Sequence, residues 1–222
     1  MLNKKRRNRR HKRNHEKSGL YAVIISVIAL FVVVIICVIS HFYNVRKVQK
    51  PLPQINIEEK FLDINTYSRP GIELKRVSGI VVHYTANPGT DAMANRNYFN
   101  NLPSINEKKE QKTYVSSHFV IGLEGEIVQC IPLNEIAYAS NDRNTDTISI
   151  ECCHKRKNGK FTEQTYQSLV KLTSYLCIKY DLEAEDVIRH YDVTGKNCPK
   201  YFVEHEDAWN QFRNDITTAI TD

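Results

Sequence analysis

Apolar runs and helical patterns alternate along the chain beyond residue 78. The β-branched run GIVVHYT, residues 79–85, predicts a buried strand that carries His83 near its end. Pro and Gly residues then end the strand, and Thr90 is predicted to cap the helix that follows. The polar stretch 101–112 lacks periodicity, so we expect a loop there.

Two further strand signals come next. Residues 115–131 read as two apolar runs around a turn at Glu124 and Gly125, which predicts a β-hairpin. Residues 147–152 alternate in polarity, so successive side chains should point to opposite faces of a strand. The alternation places Ile148, Ile150 and Cys152 on the core face, and Ser149, Glu151 and Cys153 on the other.

Two helices are predicted in the last third of the chain. Thr162 should cap the first of them, and apolar residues recur at helical spacing in both. Strands interleaved with helices, including one hairpin, indicate an α/β class: a single domain with a mixed central β-sheet flanked by helices. The helical positions are Tyr166, Leu169, Val170, Leu176, Cys177 and Tyr180 in the first, and Ala208, Trp209, Phe212, Ile216 and Ile220 in the second.

The apolar stretch 20–40 differs from everything after it. It has 21 residues without a charge, a Pro or a Gly, and a helix of that length reaches roughly 31 Å, enough for a bilayer core. A buried soluble helix or a cleaved signal peptide is the alternative, but the stretch does not end in the small residues of a cleavage site. We therefore expect one uncleaved transmembrane helix, a signal-anchor, before the domain.

Charge is distributed unevenly along the 222 residues, of which 41% are hydrophobic and 25% charged. The tail 1–19 holds nine Lys or Arg against Glu16, about +8, so the remaining residues are near −2. A positive tail beside a membrane span is expected in the cytoplasm, which places the domain outside. Residues 41–65 should form a linker and residues 66–222 the domain. The slightly acidic domain argues against a nucleic-acid partner, although a membrane-tethered nucleic-acid binder using the tail is one alternative.

Candidate metal chemistry is concentrated in the stretch IRHYDVTGKNCP, residues 188–199. It offers His190, Lys196 and Cys198, and imidazole nitrogen and thiolate sulfur are ligands that Zn²⁺ prefers. Gly195 allows a tight turn that can bring both ligands to one ion. Taken alone, the stretch is equally explained by a surface loop with an ordinary histidine and a spare cysteine.

Four separated motifs together resemble a known family. GIVVHYTANPGT, VSSHFVIGLEGEIVQ, TISIEC and RHYDVTGKNCP have the order and approximate spacing of the zinc-dependent N-acetylmuramoyl-L-alanine amidases of the type-2 amidase family, which are related to peptidoglycan recognition proteins. The resemblance covers roughly residues 66–215. It implies peptidoglycan as the substrate and hydrolysis of the bond between N-acetylmuramic acid and L-alanine. A non-catalytic muropeptide-binding module is the alternative within the family, and loss of a metal ligand would mark it.

The resemblance also implies a role for each site residue. His83, His190 and Cys198 would bind one Zn²⁺ and leave its fourth position to water, an arrangement typical of catalytic zinc. Glu151 would be the general base that transfers the water's proton, and Lys196 would stabilise the oxyanion. A salt-bridged edge carboxylate and a solvated loop lysine are the alternatives for these two residues.

Several other residues are assigned with less support. Some relatives have Tyr where this chain has Ser117. A possible auxiliary hydrogen-bond donor is therefore missing here, and catalysis would depend more on Glu151. His118 is expected to be a hydrogen-bonded interior histidine, and His154 to be solvated. A monomer is expected. The residues that could line a substrate groove, or form an exposed polar helix face, are Asn95, Arg96, Asn97 and Tyr98.

Four cysteines outside the apolar stretch have no assigned role. A disulfide between Cys130 and Cys177 is one pairing that the sequence allows. The adjacent Cys152 and Cys153 should point to opposite faces of their strand, which makes them poor partners for each other.

Overall fold

A computed structural model describes residues 25–40 and 52–221 of the chain. The chain divides into two compact units, Met1–Lys50 and Pro51–Asp222. In the first unit, residues 25–40 form helix α1. No helix within the described ranges combines the length and hydropathy needed to cross a membrane. The predicted tail 1–19, the start of the predicted span and residues 41–51 of the predicted linker lie outside the described residues.

The second unit is built on one six-stranded sheet in the order β1-β4-β3-β5-β2-β6. Only the β3–β4 pair is antiparallel, so the predicted mixed sheet and the predicted hairpin are confirmed. The strands are β1 Glu58–Glu59, β2 Ile80–Tyr84, β3 Phe119–Ile121, β4 Ile127–Gln129, β5 Ile148–Cys152 and β6 Val187–Arg189.

Six helices and two 3-10 turns surround this sheet in the described part of the second unit. Thr162 caps the long helix α4 as predicted, because its hydroxyl accepts a hydrogen bond from the Thr165 amide. The helices are α2 Ala92–Asn100, α3 Leu102–Glu107, α4 Glu163–Tyr180, α5 His190–Thr194, α6 Lys200–Glu204 and α7 Glu206–Thr221.

Two local predictions around α2 and α3 were wrong. Asp91, rather than Thr90, caps α2: its Oδ1 accepts from the Ala94 amide at 2.6 Å, whereas the Thr90 hydroxyl donates to the Asn87 carbonyl. The predicted loop 101–112 contains α3, because Leu102 is fully buried and fixes the turn against the core. Burial therefore outweighed the polar composition of that stretch.

The core lies on both faces of the sheet. The larger cluster contains Ile148, Ile150 and Cys152, and the smaller contains Cys153, so the predicted alternation along β5 is confirmed. Helices on both faces explain why β2 reads as a continuous apolar run rather than as an alternating one.

The Cys130–Cys177 disulfide, one pairing that the sequence allows, is not formed. Cys130 lies in the smaller core cluster and Cys177 in the larger one, so the two thiols lie on opposite faces of the sheet. All six cysteines of the chain are free.

The domain begins earlier than the predicted boundary at residue 66. Glu58 and Glu59 pair in parallel with β4, and Leu62 is only 1% exposed within the smaller core cluster. Arg96 of α2 also donates to the carbonyls of Lys60 and Phe61. The later part of the predicted linker 41–65 is therefore part of the folded domain.

Candidate metal centre and groove

Three potential metal ligands converge at the carboxyl ends of β2 and β6. His83 is the fourth residue of β2, His190 follows β6 directly, and Cys198 closes the loop after α5. Their nearest ligand atoms all lie within 4.8 Å of one another. Cys198 Sγ is 3.9 Å from His83 Nδ1, and the two imidazole centroids are 4.6 Å apart.

A short, tightly closed loop brings Cys198 back to the histidines. Gly195 ends α5 in the left-handed region at φ 75°, which a residue without a Cβ adopts readily, and the predicted tight turn is confirmed. The Tyr191 amide then donates to the Cys198 carbonyl at 2.8 Å. This hydrogen bond joins the two ends of the loop beside His190.

Ser140 and Asn141, in the segment before β5, form a hydrogen bond with one ring nitrogen of each histidine. His83 Nε2 lies 3.2 Å from Ser140 Oγ, and His190 Nε2 lies 3.2 Å from the Asn141 amide oxygen. Because a carbonyl oxygen only accepts, His190 carries its proton on Nε2, and its Nδ1 is buried without a partner. In both histidines Nδ1 is therefore the nitrogen that remains for a metal, and Nε2 is held from outside.

The electrostatics of the three side chains fit a divalent cation. Burial, reinforced by His190 and Lys196, holds the pKa of His83 well below its usual value, and burial together with Lys196 also lowers that of His190. Both imidazoles are therefore neutral near pH 7 and can donate a lone pair. Burial, and then the charge of Glu151, raises the pKa of the Cys198 thiol to about 12. To bind a metal, this thiol would have to release its proton and act as a thiolate.

Glu151 lies beside His83 on the neighbouring strand. The two residues are register partners in the parallel β2–β5 pair, so their side chains project on the same side of the sheet. Glu151 is half-buried, and its Oε2 is buried without a hydrogen-bond partner. Burial raises the pKa of this carboxyl to about 7, although the nearby Lys196 charge opposes the shift. The group can therefore both accept and return a proton near neutral pH.

Lys196 contributes a positive charge at the same place. Its side chain is exposed and lines the cavity that holds the three metal-ligand candidates and Glu151. The charge acts on all four groups, since it lowers the pKa of His83, Glu151, His190 and Cys198.

The centre opens into an extended groove formed by two adjoining cavities. One, of about 310 Å³, contains the metal-ligand candidates, and the other, of about 380 Å³, extends along α2. Both are lined by Tyr84, Val115, Glu151 and Lys196. The groove therefore can hold an extended ligand across the Glu151 carboxyl.

A profile of the Amidase_2 family, described as N-acetylmuramoyl-L-alanine amidase, matches residues 73–201. The chain belongs to this family. It is 34% identical over 178 residues to the N-acetylmuramoyl-L-alanine amidase CwlL of Bacillus licheniformis, an alignment covering 75% of this chain and 48% of CwlL. It is 33% identical over 182 residues to BlyA of Bacillus subtilis (strain 168), covering 72% of this chain and 47% of BlyA. The chain thus spans about half the length of the curated relatives it matches.

The fold agrees with a solved structure of a related protein. A mutant endolysin from Bacillus subtilis superimposes with a TM-score of 0.60 at 31% identity, covering 73% of this chain and 99% of the endolysin. The matched residues 73–201 include the three metal-ligand candidates, Glu151 and Lys196. The amidase fold, as predicted from the four motifs, is therefore confirmed.

The four predicted groove residues, which follow the strand that carries His83, have different environments. Asn95 and Tyr98 line the cavity along α2, although Asn95 also bonds to Thr90 and to the Asp91 carbonyl. Arg96 lines neither cavity and holds the amino-terminal segment instead. Asn97 accepts from Arg96 and also lies outside both. Arg96 and Asn97 therefore lie outside the groove that the two cavities form.

One of the two predictions for non-ligand histidines agrees with the structure. His118 is an interior histidine, as predicted, with its ring nitrogens bonded at Ser149 and at the Glu135 carbonyl. Ser117 is buried and donates to the Ser149 carbonyl. The prediction for His154 was wrong: it is 1% exposed, because its ring packs against Tyr84 at 5.1 Å between centroids.

Sequence reasoning missed three supporting residues of the amidase centre. Ser140 and Asn141 hold the histidines from a loop that has no ligand-type spacing. Arg189, immediately before His190, is 7% exposed and bonds to Asp192, Glu206 and the Phe202 carbonyl. It thereby fixes β6, α5 and α6 relative to one another. Its position next to a predicted ligand was the only available signal.

Proposed function

We propose that this chain is a zinc-dependent N-acetylmuramoyl-L-alanine amidase. It would hydrolyse the amide bond between the lactyl group of N-acetylmuramic acid and L-alanine in peptidoglycan. The observation that carries the proposal is the convergence of His83, His190 and Cys198 beside Glu151 in the groove of an amidase-family fold.

Zinc is the metal that this donor set favours. Two neutral imidazoles and one thiolate leave a tetrahedral ion one open position, and such an ion polarises a carbonyl and acidifies a water molecule. Ser140 and Asn141 would keep both Nδ1 atoms directed at the ion. The orphaned Nδ1 of His190 supports this assignment, because a buried nitrogen without a partner is otherwise unfavourable.

The protein side chains account for the proton movements of the reaction. Glu151 takes a proton from the attacking water as a carbon–oxygen bond forms at the carbonyl carbon, and returns it to the nitrogen as the carbon–nitrogen bond breaks. Lys196 stabilises the negative charge that develops on the carbonyl oxygen. The products are a lactyl carboxylate and the free amino group of L-alanine.

Mass spectrometry of digested peptidoglycan tests this proposal. The purified full chain, held in detergent, should release peptides with a free L-alanine amino group and leave the glycan strands uncut. A chelator should stop the release, and added Zn²⁺ should restore it. Cleavage within the glycan or between peptide residues would contradict the proposal. Binding without any cleavage by the zinc-loaded protein would instead identify a muropeptide-binding module.

We further propose that residues 20–40 anchor the enzyme in the membrane, with the tail 1–19 in the cytoplasm and the domain outside. The nine cations of the tail resist translocation. The large apolar side chains of α1 from Ile25 to Ile39 are 44% to 67% exposed, which favours an apolar environment around them. Protease added to spheroplasts should digest the domain and spare a fragment with the tail. Recovery of the enzyme from the medium would overturn this placement.

A further inference from the structure

The loop that follows β5 concentrates positive charge on the surface. We call residues 155–160, KRKNGK, the cationic loop. Lys200 of α6 joins it by donating to the Lys157 carbonyl at 3.3 Å. The loop's exposed cations are Lys155, Arg156, Lys157 and Lys160.

This cluster contrasts with the charge of the rest of the domain. Residues 51–222 hold 19 Lys or Arg against 24 Asp or Glu. Even so, Glu124 is the only described carboxylate that pairs with a cation of the loop, at 3.1 Å from Lys155 Nζ, and both side chains of that pair are exposed. The loop is therefore a locally uncompensated positive surface on an acidic domain.

Buried flanking residues and backbone hydrogen bonds hold the cationic loop despite the repulsion between its charges. Buried His154 and Phe161 anchor its two ends. His154 Nδ1 donates to the Arg156 carbonyl at 2.8 Å, and the Gly159 amide donates to the same carbonyl at 2.9 Å. A fixed loop binds an anion with little further loss of conformational entropy.

The cationic loop packs against Tyr84, a residue that lines the groove. A Cβ atom at Gly159 would lie 3.2 Å from the ring of Tyr84, so the loop backbone packs directly on that ring. Tyr84 in turn lines both cavities together with Glu151. No residue of the loop lines either cavity, so its cations would meet the parts of a polymer that extend out of the groove past Tyr84.

We propose that the cationic loop binds carboxylate groups of the peptidoglycan peptides that lie beside the segment held in the groove. This inference rests on the proposed function, because it takes the substrate to be a polymer with repeated carboxylates. Each exposed ion pair contributes little, but several on one polymer raise the effective concentration of the scissile bond at Glu151. The loop would thus act on substrate capture and leave the chemical step unchanged.

Sedimentation with insoluble peptidoglycan tests the inference without turnover. Peptidoglycan freed of phosphate polymers by acid is mixed with full-length Glu151→Gln protein, with and without the added changes Lys155→Gln, Arg156→Gln and Lys157→Gln. The triple change should raise Kd roughly three- to tenfold at low salt, and the difference should shrink as salt screens the charges. A control that removes three exposed cations elsewhere, Lys75→Gln, Lys171→Gln and Lys179→Gln, should bind like its parent.

Chemical capping identifies the bound group. Conversion of the peptidoglycan carboxylates to amides should remove the difference between the loop variant and its parent. Equal binding of the two proteins before capping would overturn the inference, as would a difference that survives capping or that needs phosphate polymers. Hydrolysis by the zinc-loaded chain that retains Glu151 is scored separately, so a chain that binds through its loop but cleaves nothing would contradict the proposed function alone.

Discussion

Two kinds of buried histidine lie in this domain. His118 uses both ring nitrogens within the protein: its Nδ1 accepts from the Ser149 amide, so its Nε2 donates to the Glu135 carbonyl. His83 and His190 have only Nε2 bonded to oxygen, and their Nδ1 atoms face the Cys198 region or remain unpartnered. All three are almost fully buried, so burial alone does not distinguish a ligand from a structural histidine. An unused nitrogen is not sufficient either, because buried His154 also leaves its Nε2 without a partner. What distinguishes His83 and His190 is that their ligand atoms lie within 4.8 Å of each other and of Cys198 Sγ.

Removal of a candidate metal ligand should have the largest effect on both metal content and activity. His83→Ala, His190→Ala or Cys198→Ala should each abolish both bound zinc and amidase activity, because two remaining donors hold the ion poorly. His118→Gln is the matched control and should retain zinc. Metal content by mass spectrometry and peptide release measure the two effects. Full activity in any metal-free ligand variant would refute the assignment.

Replacement of the base should separate chemistry from metal binding. Glu151→Gln should keep zinc and reduce kcat by roughly two to four orders of magnitude, which is the usual contribution of a positioned general base. Zinc content and kcat measured on the same preparation check this. Near-parental turnover would make Glu151 a structural carboxylate.

Removal of the Lys196 charge beside the candidate metal site should have a smaller effect. Lys196→Ala should reduce kcat by up to about a hundredfold, since one oxyanion donor is worth roughly 3 kcal/mol. Lys196→Arg should recover part of the loss because it restores the charge. If both variants lost activity equally along with their zinc, Lys196 would instead be required for the loop's structure.

The residues that hydrogen-bond the Nε2 atoms of the two histidines should affect zinc affinity less than the ligands do. Asn141→Ala should weaken zinc binding by roughly 10- to 100-fold, the usual effect of removing a group that orients a metal-binding histidine. Competition with a chelator of known affinity measures the change. Asn144→Ala is not a neutral control, because Asn144 binds the Ser140 amide. Asn158→Ala, in the cationic loop, is the better control and should leave zinc affinity unchanged.

Replacement of the structural histidine His118 should change the free energy of unfolding rather than the activity. Burial lowers the pKa of His118 to about 4, whereas an unfolded histidine titrates near 6.5. Between these values the unfolded chain binds a proton that the native protein does not, so His118 lowers the stability as pH falls from about 7 to about 4, by up to about 3 kcal/mol. The free energy of unfolding of His118→Gln, measured across this range, should fall less steeply. Identical slopes would show that His118 does not contribute.

Residue chemistry explains how far prediction from sequence could go. His83, His190 and Cys198 were recognisable because ligand-type residues lay at strand ends and beside Gly195, and because four motifs agreed. Ser140 and Asn141 were not recognisable, since serine and asparagine are common in loops and their contacts lie 57 and 49 residues away along the chain. Contacts of that kind depend on tertiary folding, which local patterns do not record.

The misjudged elements share a physical cause. Strand β1 has only two residues and no apolar periodicity, so it exists through pairing with β4. His154 lies among cations in the sequence but is buried, because Tyr84 covers it. In both cases a partner distant in sequence determines the structure, whereas α4 and β5, which carry their own periodicity, were predicted correctly.

The burial of the free thiols has a consequence for how the protein meets oxidants. Cys130, Cys152, Cys153 and Cys177 are 0% exposed, and burial raises the pKa of each. Thiolate is the nucleophile that attacks peroxides and disulfides, so these side chains, which remain thiols, are slow to react. These four thiols therefore resist oxidation without being paired in disulfides, because the fold itself keeps oxidants away from their sulfur atoms.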